Sequence, residues 1–225
     1  MAKFYSVGVG AGDGSYITLG ALRALEQADI IAVPVKKYGE KSTALEIIRK
    51  EFDTDKKEIS ELEFRMSGDT KVREESRRNS SEKIISALKD GKDVAMITLG
   101  DVSVYSTCTY VHNAVKNAGF EIIPGITSFC AAADKSQISL CEGNESVAII
   151  PSLKSNLLEK YIADFDTVVI MKSGNDTDVI YDILKKYGLE NNAIVSSCIG
   201  MENEIIEKIQ KGKSYGYFTT VIVRK

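Results

Sequence analysis

The chain has 225 residues, 44% of them hydrophobic and 27% charged, enough to bury one large core or two smaller ones. A net charge of −3 gives no general argument for nucleic-acid binding, and no apolar run reaches the length of a membrane span. Four cysteines without C-x-x-C spacing and a single histidine, His112, argue against a zinc site or other protein-bound metal and for reduced thiols in a cytoplasm.

The opening Met1–Gly8 is too short in apolar residues for a signal peptide. Lys3 to Val9 alternates and then turns apolar, which predicts a first strand. It runs into Gly8-Val9-Gly10-Ala11-Gly12-Asp13-Gly14, a loop that implies close approach of backbone to a ligand or a tight turn. A dinucleotide fingerprint requires glycine where Asp13 stands and an acidic residue closing the second strand. That strand, Ile30 to Val35, closes on Pro34-Val35-Lys36-Lys37, so a nicotinamide reading fails twice. Thr18 is placed to cap a helix through Ala28, with Leu19, Leu22 and Leu25 inward, and Ser42 opens another through about Glu51.

Phe52 to Asn79 is the least regular stretch. Lys56, Lys57, Arg65, Lys71, Arg73, Arg77 and Arg78 alternate there with acids, as on a solvated helix face or a cationic lid over an acidic ligand. Its second half reads as a helix, amphipathic at Ile84, Ile85 and Leu88 and closing at Gly91. Asp93 to Leu99 then forms an apolar run typical of a strand buried on both faces. It breaks at Gly100-Asp101 and passes into a helical pattern from about Val104 to Ala118. Ligands of open α/β sheets bind beyond the carboxyl ends of strands, where this break falls; an ordinary turn with Asp101 as cap is the plainer alternative.

Phe120 to Ile123 predicts a short strand, Pro124-Gly125 a turn, and Ile126 to Ala133 a helix of small residues. A domain boundary is placed near Pro124. Ser146 to Pro151, Thr167 to Met171 and Ala193 to Ile199 read as strands. Asp176 or Thr177 caps a helix with Val179, Ile180, Ile183, Leu184 and Tyr187 on one face, ended by Gly188. Ile205-Ile206 and Tyr217 to Val223 predict a closing antiparallel pair, with Gly212 near its turn.

Together these pieces resemble the tetrapyrrole methylases, the S-adenosylmethionine-dependent enzymes of corrin and sirohaem synthesis, over nearly the whole chain. Val7-Gly8-Val9-Gly10-Ala11-Gly12-Asp13 is similar to their glycine-rich opening, Leu99-Gly100-Asp101-Val102 to their GDP loop, and Pro124-Gly125-Ile126-Thr127-Ser128 to the next shared block. Ala11 and Val102 stand where the family commonly has proline. Val104-Tyr105-Ser106-Thr107, Gly125-Ile126-Thr127-Ser128-Phe129 and Ala131-Ala132-Ala133 look like the branch that methylates C20 of precorrin-2 or cobalt-factor II. Pro34-Val35-Lys36 and Phe64-Arg65-Met66-Ser67 point the same way. Pro34 replaces an aspartate of the relatives that methylate uroporphyrinogen, which argues against that substrate. Another ring position, or a cofactor-binding module without turnover, are the competing readings.

The resemblance implies two α/β domains, 1–123 and 124–225, with the cofactor in the cleft between them, in a homodimer without nucleic-acid or membrane partners. It assigns cofactor contacts to Ala11, Gly100, Asp101, Val104, Tyr105, Thr127, Ser128, Met171, Ile199 and Gly200, with Thr219 and Thr220 as further candidates. Asp101 and Tyr105 are the candidates for removing the proton left at the methylated carbon. Alone, Met171 reads as a core strand residue, Tyr105 as a packing tyrosine and His112 as a helix residue with no chemical part. Methyl transfer from a sulfonium needs neither metal nor enzyme nucleophile. A ring rimmed with carboxylates does need cations, and Lys36, Arg65, Arg73 and Arg77 are the candidates. Arg73 and Arg77 share a helix face, while Arg78 points aside.

Overall fold

The computed structural model describes residues 2–152 and 155–225; Met1, the first residue of the stretch read for a signal peptide, lies outside them. The chain divides into two compact units, Met1–Thr127 and Ser128–Lys225.

The first unit runs β1 (Lys3–Gly8), α1 (Leu19–Gln27), β2 (Ile30–Val35), α2 (Thr43–Ile48), β3 (Glu58–Glu63), α3 (Thr70–Lys89), β4 (Val94–Thr98), α4 (Thr109–Val115) and β5 (Gly119–Ile123). Its strands form one sheet in the order β3-β2-β4-β1-β5, every neighbouring pair parallel. Successive strand side chains point to opposite faces, so the apolar runs divide between two cores. Tyr5, Val7, Ile31, Val33, Ala95 and Ile97 pack with Ala21, Leu25, Ile47 and Ile48 of α1 and α2. Phe4, Ile30, Ala32, Val94 and Met96 pack on the other face with Ile84 of α3 and Val111 and Val115 of α4. Parallel strands bring all five carboxyl ends to one edge, where the candidate residues of this unit collect.

Two predicted caps form: Thr18 Oγ1 accepts from Ala21 N at 3.1 Å and Ser42 Oγ from Leu45 N at 3.4 Å, whereas Asp176 precedes its helix without a side-chain cap bond and accepts from Ser152 instead. Four expectations are corrected here. Leu19 faces solvent, 71% exposed, because α1 begins at that residue and Ala21, Ala24 and Leu25 supply the inner face. The second helix stops at Ile48, short of Glu51. The irregular stretch contains β3, whose acids Glu58, Glu61 and Glu63 suit an edge strand and conceal it from hydropathy. The helix expected from Val104 begins only at Thr109, because residues 101–108 are held as a loop by side-chain bonds described below.

The second unit runs α5 (Ser128–Lys135), β6 (Val147–Pro151), α6 (Ser155–Asp164), β7 (Thr167–Met171), α7 (Thr177–Lys186), β8 (Ala193–Ser197), β9 (Ile205–Lys208) and β10 (Thr219–Arg224). Its mixed sheet has the order β6-β7-β10-β8-β9, with only β6 and β7 parallel. Ala148, Ile150, Val168, Ile170, Val195, Val221 and Val223 meet Leu158, Ile162, Ile180, Ile183 and Leu184 of α6 and α7 in one core. α6 is an element without a predicted counterpart. The expected hairpin of residues 205–206 with 217–223 is corrected: β9 pairs with β8, and β10 inserts between β7 and β8. Val179 and Tyr187 lie outside the buried stripe of α7, at 48% and 40% exposure.

Candidate active site

In the first unit, three strand ends meet backbone to backbone. Val9 N donates to Thr98 O at 2.9 Å, then Gly10 and Gly100 exchange bonds, Gly100 N to Gly10 O at 2.8 Å and Gly10 N to Gly100 O at 3.2 Å. A Cβ on Gly125 would lie 2.2 Å from Gly100 O, and one on Gly8 would lie 2.7 Å from both Gly100 O and Gly125 N. Glycine at 8 and 125 is thus a condition for the crossing of these loops. Gly100 differs: its φ is +72°, and a Cβ there would meet nothing within 4 Å. Gly100 itself is buried, but the space beside it is free of protein atoms.

Asp101 fastens the crossing. Its Oδ2 accepts from Gly125 N at 2.8 Å, its Oδ1 from Ser103 N at 2.8 Å, and the Ser103 hydroxyl also donates to Oδ1. Partial burial pushes the carboxyl's pKa up, but bonds from the Ser103 hydroxyl and the Gly125 and Ser103 amides outweigh it and hold it below the ordinary value. The loop ends on a buried polar chain. Ser106 Oγ donates to Thr98 Oγ1 at 3.1 Å and accepts from Cys108 N at 3.1 Å. Burial pushes the Cys108 thiol up to about 11. Ser6 Oγ lies 2.9 Å from His112 Nε2, and the imidazole meets Phe120 edge-on at 4.7 Å. Tyr105 stands in this loop, 48% exposed and at φ +50°, while Val104 is half-buried. Ala11 is buried.

The second unit gathers its candidates at one end of its sheet. Thr220 sits in register between Met171 of β7 and Ser196 of β8, and Thr219 opposite Ser197. The Thr219 hydroxyl bonds Gly216 O at 2.6 Å and Ser197 Oγ at 3.0 Å, and its carbonyl accepts from Ser173 N at 3.1 Å. Cys198 N donates to Phe218 O at 2.9 Å. Gly200, at φ +74°, donates its N–H to Glu204 Oε2 at 2.6 Å, and Glu204 pairs with Lys135 at 2.7 Å. Ile199 is buried beside it, and Ser128 opens α5 directly after Thr127. Among the described residues the Ser196 hydroxyl is fully buried without a hydrogen-bond partner, as are those of Ser136 and Thr167.

Backbone strain marks the same places. Four non-glycine residues have positive φ among those described: Tyr105, Gln137, Lys172 and Cys198. Tyr105 is itself a predicted site residue, Lys172 follows Met171, and Cys198 precedes Ile199. Such conformations cost free energy and concentrate at ligand sites. Lys172 and Cys198 escaped sequence reasoning because backbone dihedrals of ordinary residues leave no compositional trace.

The cations behave individually. Arg65 Nε pairs with Glu63 Oε2 at 2.7 Å. Arg73 spends its guanidinium on the loop before α3, donating to Ser67 O, to Gly68 O at 3.0 Å and to Thr70 Oγ1 at 3.0 Å. Arg77 stacks on Tyr110, its Cζ 3.6 Å from the ring centroid. Lys36 follows the end of β2 and is exposed. Among the described residues no group of three or more His, Cys, Asp or Glu is placed to hold a metal ion. No described helix is long and apolar enough to cross a membrane.

A profile of the Tetrapyrrole (Corrin/Porphyrin) Methylases matches residues 3–212. The chain belongs to that family. This methylase is 41% identical over 215 residues to a Methanocaldococcus jannaschii protein named as a probable cobalt-precorrin-2 C(20)-methyltransferase, covering 90% of this chain and 89% of that one. It is 28% identical to the cobalt-precorrin-2 C(20)-methyltransferase of Salmonella typhimurium, over 99% of this chain and 96% of that one. The methylase also superposes on the uroporphyrin-III C-methyl transferase of Thermus thermophilus complexed with S-adenyl homocysteine, with a TM-score of 0.69 at 17% identity, covering 100% of this chain and 98% of that one. That likeness establishes the shared two-domain α/β fold.

Proposed function

We propose that this methylase transfers the methyl group of S-adenosylmethionine to C20 of cobalt-precorrin-2 in cobalamin synthesis. The observation that carries the reading is the 41% identity to the Methanocaldococcus jannaschii protein, sustained over 90% of the chain. The cobalt-bearing ring is preferred over the metal-free one because the two relatives named for it are 41% and 28% identical, against 25% for one named precorrin-2 C(20)-methyltransferase.

When bound, the sulfonium supplies an already activated methyl group, so the protein's task is alignment, an effect on the order of 7–11 kcal/mol. The open side of Gly100, the strained Tyr105, Val104 and Thr127 are the contacts we assign in the first unit, with Ala11 acting through its backbone. Ser128, Met171, Ile199, Gly200, Thr219 and Thr220 are those we assign in the second, where Thr220 stands in register between Met171 and Ser196. Asp101 is a positioning group in this reading, since its oxygens are committed to Ser103 and Gly125 and its proton affinity is lowered. Tyr105 remains the candidate for handling the proton released at the ring carbon. A cytoplasmic homodimer without bound metal completes the proposal; four cysteines outside any disulfide among the described residues suit a reducing compartment, and light scattering tests the dimer.

Incubation with S-adenosylmethionine and cobalt-precorrin-2 or its metal-free counterpart, followed by mass and positional analysis of the product, tests the reaction. One added methyl at C20 is expected, faster on the cobalt ring. Methylation elsewhere on the ring overturns the assignment.

A further inference from the structure

We infer that the Arg77–Tyr110 stack is the group that receives a side-chain carboxylate of the ring, and that Arg65 and Arg73 are not. The inference rests on the proposed function and narrows it to one residue pair. Three observations lead to it. Arg77 makes no ion pair among the described residues, whereas Arg65 is neutralised by Glu63 and Arg73 is consumed by its own loop. Stacking engages the face of a guanidinium and leaves its in-plane N–H groups for a bidentate acceptor. The stack is also held in place from below. Ser76, the residue before Arg77, donates to Glu63 O at 2.7 Å and accepts from Arg65 N at 3.0 Å, and Ser80 donates to the same carbonyl at 3.0 Å. These bonds pin α3 to the carboxyl end of β3.

The surroundings fit a flat apolar ring with charged edges. Tyr110, 47% exposed, opens α4 just after the Gly100–Cys108 loop and packs its ring 6.4 Å from the buried Phe64. Met66, 72% exposed, follows Phe64 by two residues. The pair therefore stands at the carboxyl edge of the sheet, on the elements that flank the methyl-transfer loop. Losing one desolvated charged contact changes affinity by about tenfold or more.

The experiment titrates cobalt-precorrin-2 into wild-type protein and R77Q, R77K, Y110F, Y110L and K89Q variants by absorbance, with S-adenosylhomocysteine affinity measured by calorimetry. R77Q is expected to weaken ring binding about tenfold or more and flatten its salt dependence, with cofactor affinity unchanged within about twofold. R77K should fall between, lacking the planar fork. Y110F, which keeps the ring face, should bind like wild type, and Y110L should resemble R77Q. K89Q removes the same charge from the far end of α3 and should have no effect. R77Q binding the ring as tightly as wild type overturns the role of Arg77 while leaving the function standing. A wild-type protein that neither binds nor methylates the ring overturns the functional reading itself, and this inference with it.

Discussion

The carboxylate of Asp101 accepts the backbone N–H of Gly125 at 2.8 Å, joining the loop after β4 to the turn after β5. Asparagine at 101 keeps one acceptor for Ser103 and turns an N–H toward the Gly125 N–H. D101N is therefore expected to destabilise the protein by about 1–2 kcal/mol at neutral pH, below the value of a fully buried charged bond because the group is partly solvated. The folded carboxyl titrates below its unfolded value, so its contribution is present above about pH 4 and is lost as pH falls through the folded value. Urea denaturation of both proteins should show a gap that narrows in acid. A pH-independent gap would assign the loss to shape alone.

Glycine substitutions should separate fold from ligand. G125A drives a methyl to 2.2 Å from Gly100 O, a backbone atom that cannot swing away, and is expected to cost about 3 kcal/mol. G100A meets open space and costs only the left-handed backbone, about 1–2 kcal/mol. G100V should stay folded yet bind S-adenosylhomocysteine about tenfold more poorly, because its branches fill the ligand's side. Calorimetry on folded G100V decides it: undiminished affinity would make the Gly100 loop a turn and nothing more.

His112 supplies a pH signature of its own, as the single histidine of the chain. Burial lowers its pKa, so the unfolded chain takes up the proton first. Stability should be flat above about pH 6.5 and decline as pH falls from there toward the folded value. H112Q should remove this slope between about pH 5 and 7, a window in which carboxylates stay ionised. Denaturation midpoints in that range measure it.

The thiols should react in order of access. Cys130 and Cys141 are exposed, whereas Cys108 is buried, its thiol pushed up to about 11 and aimed at Met96 O at 3.6 Å. Mass spectrometry after brief alkylation should find Cys130 and Cys141 modified and Cys108 untouched until the protein unfolds. Early labelling of Cys108 would show that the buried polar chain opens in the native state.

Much of this was legible in the sequence because burial on both faces writes itself as apolar runs: β1, β2, β4, β7 and β8 all read that way. Edge strand β3 did not, since its acids break the run. Residues 104–108 read as helix because Ser106 and Cys108 carry no hydropathy signal for the bonds that hold them in a loop. The placement of β10 was hidden for another reason: pairing of distant strands is a tertiary choice that no local window contains. Composition located a basic segment, yet it could not distinguish Arg77 from Arg73, whose guanidinium is consumed by carbonyls of its own loop.

The insertion of β10 between β7 and β8 also sets an order of events during synthesis. The strand that occupies the middle of the second sheet emerges last of the five, after β6 to β9 have left the ribosome. Until then β7 and β8 each present an unpaired edge, while the first unit, whose five parallel strands end at Ile123, already has its full complement. The nascent chain thus matures from front to back, and the interval between the emergence of β8 and that of β10 is when the second sheet is most open to pairing with another chain.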